Sequence, residues 1–126
     1  MFDHISLGVR DIAASGRFYD AALRPLGCKR LSSGETSLGY GRDAVGLWLG
    51  ATAHPVPADE RSGLHFCFAA PDRKSVDAFH AAALNAGGTS DGAPGLRAHY
   101  DARYYAAFIR DPDGNRIEAV TFLQGS

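Results

Sequence analysis

The apolar and polar positions of this 126-residue chain follow one arrangement twice. Residues 4–9 and 64–69 are alternating or wholly apolar runs of strand length. Shifting the sequence by 61 residues superposes residues 4–11 on residues 65–72, and the match continues without a gap over 24 positions. A chain of this length forms one domain, so the duplication indicates two equivalent halves within it.

An amphipathic helix follows each of these strands. Asp11 and Asp72 are suitable N-cap residues, because their carboxylates accept hydrogen bonds from the first helical amides. Prolines and glycines at positions 25–27 and 87–88 end the two helices. The apolar residues that recur at helical spacing are Ile12, Tyr19, Leu23 and Leu26 in the first half, and Val76, Phe79, Ala83 and Leu84 in the second.

Shorter segments with β character follow each helix, so each half is roughly a βαβββ unit. The predicted strands are residues 29–31, 37–40 and 46–49 in the first half, and residues 104–110 and 116–122 in the second. Residues 87–103 are rich in glycine and polar side chains and are expected to form a long loop.

The predicted fold class is α+β, with two βαβββ repeats forming curved mixed sheets around a shared cavity and with the helices outside. The single domain spans residues 1–126, with repeat one at about 1–50 and repeat two at about 64–124. Residues 51–63, with prolines and charged side chains, form the linker. One βαβββ unit cannot cover both faces of its own sheet, so the two repeats should share one core.

Glu118 is anomalous in the C-terminal hairpin. Residues 107–120 place two short apolar runs around Asp-Pro-Asp-Gly-Asn, whose proline and glycine favour a turn. Glu118 falls in the middle of the second run, where a buried carboxylate costs several kcal/mol unless it has a partner. Either it lies on the solvent face of an edge strand or pairs with an arginine such as Arg116, or it binds a cation in a site.

Four positions correspond by the repeat and point to such a site. His4 and His65 begin the first strand of each half, and Trp48 is the counterpart of Glu118. An approximate two-fold axis would gather these side chains in the cavity. Two histidines and one carboxylate leave coordination positions open and suit divalent iron, manganese, zinc, nickel or cobalt. Alternatively, the histidines are hydrogen-bonded core residues.

Composition and charge narrow the range of partners. The chain has 13 basic and 14 acidic residues and a formal net charge of −1, without a basic stripe for nucleic acid or a polybasic membrane patch. A small molecule is therefore the expected partner. The sequence has no 18-residue apolar run and no signal-peptide pattern at its N-terminus, so a cytoplasmic location is expected.

Several motifs occur together: Asp-His-Ile-Ser-Leu at residues 3–7, Phe-Tyr at 18–19, Leu-His-Phe at 64–66, and Asp-Pro-Asp-Gly-Asn followed by Ile-Glu at 111–118. With them the chain resembles the vicinal oxygen chelate superfamily, which includes glyoxalase I, extradiol dioxygenases, fosfomycin-modifying thiol transferases and bleomycin-resistance proteins. The resemblance covers nearly the whole chain. It implies metal ligation by His4, His65 and Glu118, and a substrate that binds the metal through adjacent oxygens.

Trp48 departs from the glyoxalase I pattern. Glyoxalase I-like sites usually have a fourth ligand, a carboxylate, at this position. The three-ligand pattern is more similar to the dioxygenases and the thiol transferases. Bleomycin-binding relatives keep the fold and lose the metal, whereas this chain has all three ligand residues.

Further residues are candidates to contact the substrate or to transfer protons. Period-two counting puts Ser6 and Cys67 on the faces of the ligands, and Trp48 offers a flat wall. From the predicted loop and the strand after it come Arg97, which suits a substrate carboxylate, Tyr100 as a further substrate contact, and His99 and Tyr105 as candidate acids or bases.

The expected function is that of a metal-dependent enzyme acting on a small oxygen-chelating molecule. The sequence leaves open whether it is a dioxygenase, a thiol transferase, an isomerase or a lyase. The alternative is a metal-free protein that binds a small molecule, as bleomycin-resistance proteins do. Exposed sheet edges and the resemblance both predict a two-fold symmetric homodimer. Whether the repeats pair within a chain or between chains stays open.

Overall fold

The computed structural model describes residues 1–56 and 59–124, and in it each repeat is a βαβββ unit, as predicted. The first repeat contains strand β1 (Ile5–Val9), helix α1 (Ile12–Leu23), a 3-10 turn (Arg24–Leu26), and strands β2 (Lys29–Ser33), β3 (Ser37–Gly41) and β4 (Val45–Ala51). The second contains strand β5 (Phe66–Ala69), helix α2 (Arg73–Asn85), and strands β6 (Thr89–Leu96), β7 (Tyr105–Arg110) and β8 (Arg116–Thr121).

Each repeat forms one four-stranded mixed sheet, in the order β1-β4-β3-β2 for the first and β5-β8-β7-β6 for the second. In both sheets the first strand pairs in parallel with the last strand, and the remaining pairs are antiparallel. Ser6 lies opposite Trp48, and Cys67 lies opposite Glu118. This register confirms the alignment of the two repeats.

The two helices pack on the sheets and complete a common core. Asp11 accepts a hydrogen bond from the amide of Ala14, and Asp72 accepts one from the amide of Ser75, so both predicted N-caps are confirmed. Buried apolar residues of both repeats belong to one cluster. The α+β class with helices outside is therefore confirmed, and one face of each sheet remains open.

Asp111 ties the turn between β7 and β8 to the first repeat. Its carboxylate is buried, and it accepts hydrogen bonds from the hydroxyl of Tyr19 at 2.6 Å and from the backbone and side-chain amides of Asn115. Gly114 has the positive φ expected of the turn. Burial, and then Asp111, raise the pKa of Tyr19 far above its usual value, so the phenol stays a neutral donor.

Strand β6 corrects the prediction of a long loop over residues 87–103. Thr89–Leu96 contains two glycines and Pro94, which disfavour a strand by propensity. It forms an edge strand, where proline is tolerated, and its pairing with β7 shifts register twice around Gly92 and Gly95. The predicted long loop is therefore reduced to the residues between Leu96 and Tyr105.

The two sheets do not close on one another within one chain. The hollows on their open faces share no lining residue among the described residues. Strands β1 and β5, which follow His4 and His65, are both edge strands, so each sheet ends next to a histidine. In the described part of the chain, no helix is long and apolar enough to cross a membrane.

Candidate functional site

Glu118 lies on the open face of the second sheet and is nevertheless buried. Its neighbours across the strands are Cys67 on β5 and Phe108 on β7. Only 1% of the Glu118 side chain is exposed. Arg116, the arginine considered above as a partner of Glu118, instead donates to Asp91 at 3.0 Å. The carboxylate therefore depends on other neighbours for its stabilisation.

Both carboxylate oxygens of Glu118 have partners. The hydroxyl of Tyr104 donates to Oε2 at 2.5 Å, and Nε2 of His65 lies 2.9 Å from Oε1. A carboxylate that is held at one oxygen by a hydroxyl has a fixed orientation. The other oxygen therefore meets the imidazole at a defined position.

The two ring nitrogens of His65 have different roles. Nδ1 lies 3.1 Å from the carbonyl oxygen of Gly63, and since a carbonyl only accepts, Nδ1 carries a proton. In a neutral ring Nε2 then carries no proton, and its lone pair faces the Glu118 carboxylate. Two atoms that approach each other with lone pairs repel unless a cation lies between them, either a proton or a metal ion.

The separation of these two atoms fits a divalent metal. Two donors that each lie about 2.1 Å from one ion at a right angle are about 3 Å apart. The observed distance between Nε2 of His65 and Oε1 of Glu118 is 2.9 Å. The side chain of His65 is 41% exposed, so the pair is accessible from the open face. Imidazole nitrogen and carboxylate oxygen also suit the metals named above.

His4 holds the position equivalent to His65 at the edge of the first sheet. Its Nδ1 lies 2.6 Å from a carboxylate oxygen of Asp3, and its side chain is 46% exposed. A carboxylate on one ring nitrogen orients the other nitrogen for metal binding. One chain does not bring His4 to His65 and Glu118, since the described residues contain no group of three or more His, Cys, Asp or Glu able to hold a metal.

Tyr104 is the site residue that sequence reasoning missed. Tyr105, the candidate acid or base from the sequence, points to the helix side, where its hydroxyl donates to Asp77 at 2.6 Å. Tyr104 has the same strand parity as Phe108, which pairs with Glu118. That parity was the available signal. Burial and the Glu118 carboxylate raise the pKa of Tyr104, which keeps its hydroxyl protonated as a donor.

Cys67 lies beside this group as a neutral thiol. Its neighbours desolvate the sulfur and Glu118 adds negative charge, and together they raise its pKa to about 12. A nucleophilic cysteine needs the opposite shift. Cys67 therefore lines the open face as a small, unreactive side chain.

The remaining candidates fall into two places. Ser6 and Trp48 lie next to each other on the open face of the first sheet. Arg97 lies over the ring of Phe108 and donates to the carbonyl oxygen of Ala93 at 2.7 Å. His99 and Tyr100 are exposed and in contact, with ring centroids 4.1 Å apart.

Tyr100 also links this pair to the carboxylate site, because its ring packs edge-on against Tyr104. It lines a hollow with His65 and Phe108. The second repeat thus gathers most of the predicted site, whereas the first holds His4, Ser6 and Trp48 apart from it.

Comparison with known proteins agrees with this architecture. The model of the glyoxalase/bleomycin resistance protein/dioxygenase superfamily matches residues 1–119. A glyoxalase/bleomycin resistance protein from Albidiferax ferrireducens is 35% identical with a TM-score of 0.84, and the match covers 95% of this chain and 98% of that one. No curated protein matches the chain significantly.

Two further solved structures extend the likeness. A putative glyoxalase from Bacillus halodurans is 25% identical with a TM-score of 0.72, over 95% of this chain and 94% of that one. A glyoxalase I variant from Zea mays is 23% identical with a TM-score of 0.71, over 94% of this chain and 45% of that longer chain, and shows the same fold. The chain belongs to the glyoxalase/bleomycin resistance protein/dioxygenase superfamily.

Proposed function

We propose that this protein is a divalent-metal-dependent enzyme that acts on a small molecule with adjacent oxygen atoms. His65 and Glu118 of one chain and His4 of a second copy hold the metal. The active unit is a two-fold symmetric homodimer with two such sites. The reaction belongs to the range of its superfamily, among dioxygenase, thiol transferase, isomerase and lyase chemistry.

The pairing of His65 with Glu118 carries this proposal. The two donor atoms lie 2.9 Å apart, and the far sides of both groups are held, by the Gly63 carbonyl and by the Tyr104 hydroxyl. Such support from outer neighbours is typical of metal ligands, because it fixes the donor atoms before the ion arrives. A histidine that served only the core would be buried, whereas His65 is 41% exposed.

The incomplete ligand set supports the involvement of a second copy. His4 and His65 precede the equivalent edge strands β1 and β5, so a two-fold axis that places the start of β1 of one copy beside the start of β5 of another also brings His4 to His65 and Glu118. The same arrangement covers two exposed sheet edges, which are otherwise prone to unspecific pairing. Dimer formation would therefore complete the metal site and, at the same time, cover the exposed sheet edges.

A divalent ion in this position supplies a Lewis acid for the oxygens of the substrate. The chain's own residues would bind the ion and orient the side chains that hold it. Tyr104 holds Glu118, Asp3 and Gly63 hold the two histidines, and Cys67 lies opposite Glu118 on the neighbouring strand. Arg97, over Phe108 on the same face, is placed to attract a substrate carboxylate.

Metal analysis tests the proposal. Protein purified without chelator should contain about one equivalent of divalent metal per chain, and His4→Ala, His65→Ala and Glu118→Ala should each lower metal affinity at least about tenfold. His54→Ala, at an exposed histidine of the linker, is the matched control and should keep its metal. A variant with unchanged metal content would remove that residue from the ligand set.

A metal-free small-molecule-binding protein is the second candidate. One observation favours it: both oxygens of Glu118 already have partners within the chain, so the carboxylate is satisfied if His65 is protonated. Wild-type protein that takes up no iron, manganese, zinc, nickel or cobalt when these are supplied would support this candidate and refute the metal-dependent enzyme.

A further inference from the structure

A hollow of about 450 Å³ lies on the open face of the first repeat's sheet, away from Glu118. Volumes of this order are typical of sites for small organic ligands. The side chains that shape it come from three neighbouring strands and the segment after β4. They are Ser6, Ser37, Trp48 and Thr52, with Gly8 and Gly50 between them.

The floor of the hollow is bare backbone at Gly50. Gly8, Gly50 and Ser37 lie side by side across β1, β4 and β3. Thr52 and Pro55 cover Gly8, where a Cβ atom would come within 2.8 Å of the Thr52 side chain. A Cβ atom placed on Gly50 would meet no atom within 4 Å. A planar group can therefore lie in direct contact with the peptide groups of the sheet, where any larger side chain would hold it away.

Trp48 forms a fixed wall beside this floor. Its ring covers Gly39 so closely that a Cβ atom there would come within 2.8 Å of it, and Val45 packs on the same spot. Any residue larger than glycine at position 39 would therefore displace the indole of Trp48. A rigid aromatic wall favours offset or edge contacts with another flat ring.

The chemistry of the lining selects an uncharged ligand. Among the described residues that line the hollow, none carries a charge, and the polar side chains are the hydroxyls of Ser6, Ser37 and Thr52. Burying an ion without a partner in such a place is costly, whereas hydroxyls can bond to neutral oxygen or nitrogen atoms.

The equivalent position in the second repeat is filled. There the row across the strands is Ala69, Val120 and Ala106, and each of these residues has a side chain on the open face. Gly50 therefore distinguishes the first repeat, because the packing leaves room for a side chain at this position and the second repeat has Val120 there. This difference indicates a role in binding.

We propose that the hollow binds the flat, uncharged ring of the substrate, with Gly50 as the floor and Trp48 as the wall. The inference deepens the proposed function, on which it rests for the reaction, by naming the substrate class: an aromatic or conjugated molecule whose ring lies on the first repeat. Gly50 is the residue that determines specificity, because any side chain there occupies the space of the ring.

Fluorescence of Trp48, the chain's one tryptophan, tests this directly. The probe is 4-nitroanisole, a flat, neutral molecule that quenches indole fluorescence and has no pair of oxygens on neighbouring carbons for chelating a metal. Titrations use the full chain as purified and again with excess EDTA. Saturable quenching with the same midpoint in both is expected, so a failure of the metal site leaves this result intact.

Two comparisons sharpen the test. Gly50→Val should weaken 4-nitroanisole binding at least about tenfold, whereas Gly46→Val, on the same strand with equal free space but outside the hollow, should stay within about twofold. Anisole should displace the probe at about tenfold lower concentration than methoxycyclohexane, which is similar in size but puckered. Gly50→Ala provides a smaller obstruction should the valine variant fold poorly.

Linear, unsaturable quenching of the wild type would overturn the inference, since it shows collision alone. Equal binding by the Gly50→Val and Gly46→Val variants would overturn the assignment of the floor. Equal displacement by anisole and methoxycyclohexane would overturn the requirement for a flat ring. Closure of this face by a second copy would appear as absent quenching and would equally refute it.

Discussion

Across its first and last strands, β1 and β4, the first repeat presents Ser6 and Trp48, where β5 and β8 of the second repeat present Cys67 and Glu118. The two repeats have the same strand order and the same register, yet their open faces differ in chemistry. The first is uncharged and partly bare of side chains, and the second carries a buried carboxylate with its supporting hydroxyl and imidazole. The duplicated backbone therefore serves two tasks, contact with an apolar ring and binding of a cation.

The comparison also separates residues that hold the fold from residues that hold a ligand. Asp111 and its counterpart Asp43 follow an arginine at matching places in the two repeats. Asp111 is buried and bonded to Tyr19, whereas Asp43 is exposed. The same residue type thus anchors the turn in the second repeat, whereas in the first repeat it lies exposed on the surface.

The largest effect on stability is expected at this pair. Asp111→Ala leaves the buried hydroxyl of Tyr19 and the amides of Asn115 without their acceptor, and should lower the free energy of unfolding by about 3 kcal/mol. Asp43→Ala should change it by less than about 0.5 kcal/mol. Urea denaturation of both variants measures the difference. Equal losses would show that the turn of the second repeat does not anchor it to the first.

Tyr104→Phe tests whether the hydroxyl positions Glu118. Without it the carboxylate can rotate, so metal affinity should fall by about tenfold while the fold is retained. Tyr105→Phe is the matched control, because its hydroxyl also donates to a carboxylate, that of Asp77 on the helix side. Competition with a chelator of known affinity gives both values. A similar loss in the two variants would assign the effect to general stability.

Trp48→Glu makes the first repeat resemble the second. A carboxylate at the counterpart of Glu118 adds a fourth donor to the proposed site, so metal affinity should rise by about tenfold. Trp48→Gln, of similar shape without the charge, should not reproduce the gain. Titration with zinc and manganese measures both. If the glutamate and glutamine variants bind equally, position 48 does not face the metal.

The sequence predicted those parts of the molecule that depend on local periodicity. The repeats, both helices with their caps and the equivalence of Trp48 and Glu118 in the two sheets follow from apolar spacing and strand alternation, and the structure confirms them. Strand β6 was not predicted, because its glycines and proline have poor strand propensity and only the backbone pairing at the sheet edge makes it a strand.

The remainder depends on contacts between distant residues. Tyr104 and Tyr105 differ by one position, and only the pairing of β7 with β8 decides which of them meets Glu118. The placement of one sheet relative to the other follows from packing of the helices and from the bond between Tyr19 and Asp111, which no periodicity reveals. For this reason the sequence led to a single group of four side chains, whereas one chain brings together only His65 and Glu118 of that group.

Complementation between two defective chains tests the central claim, that each metal site uses His4 of one copy and His65 with Glu118 of another. His4→Ala and Glu118→Ala chains are unfolded together in equal amounts, refolded, and analysed for bound metal against each variant alone. Random pairing should restore about a quarter of the wild-type metal content, since half of the dimers then contain one intact site. Metal content no higher than that of the separate variants, in a sample that light scattering shows to be dimeric, would contradict the claim.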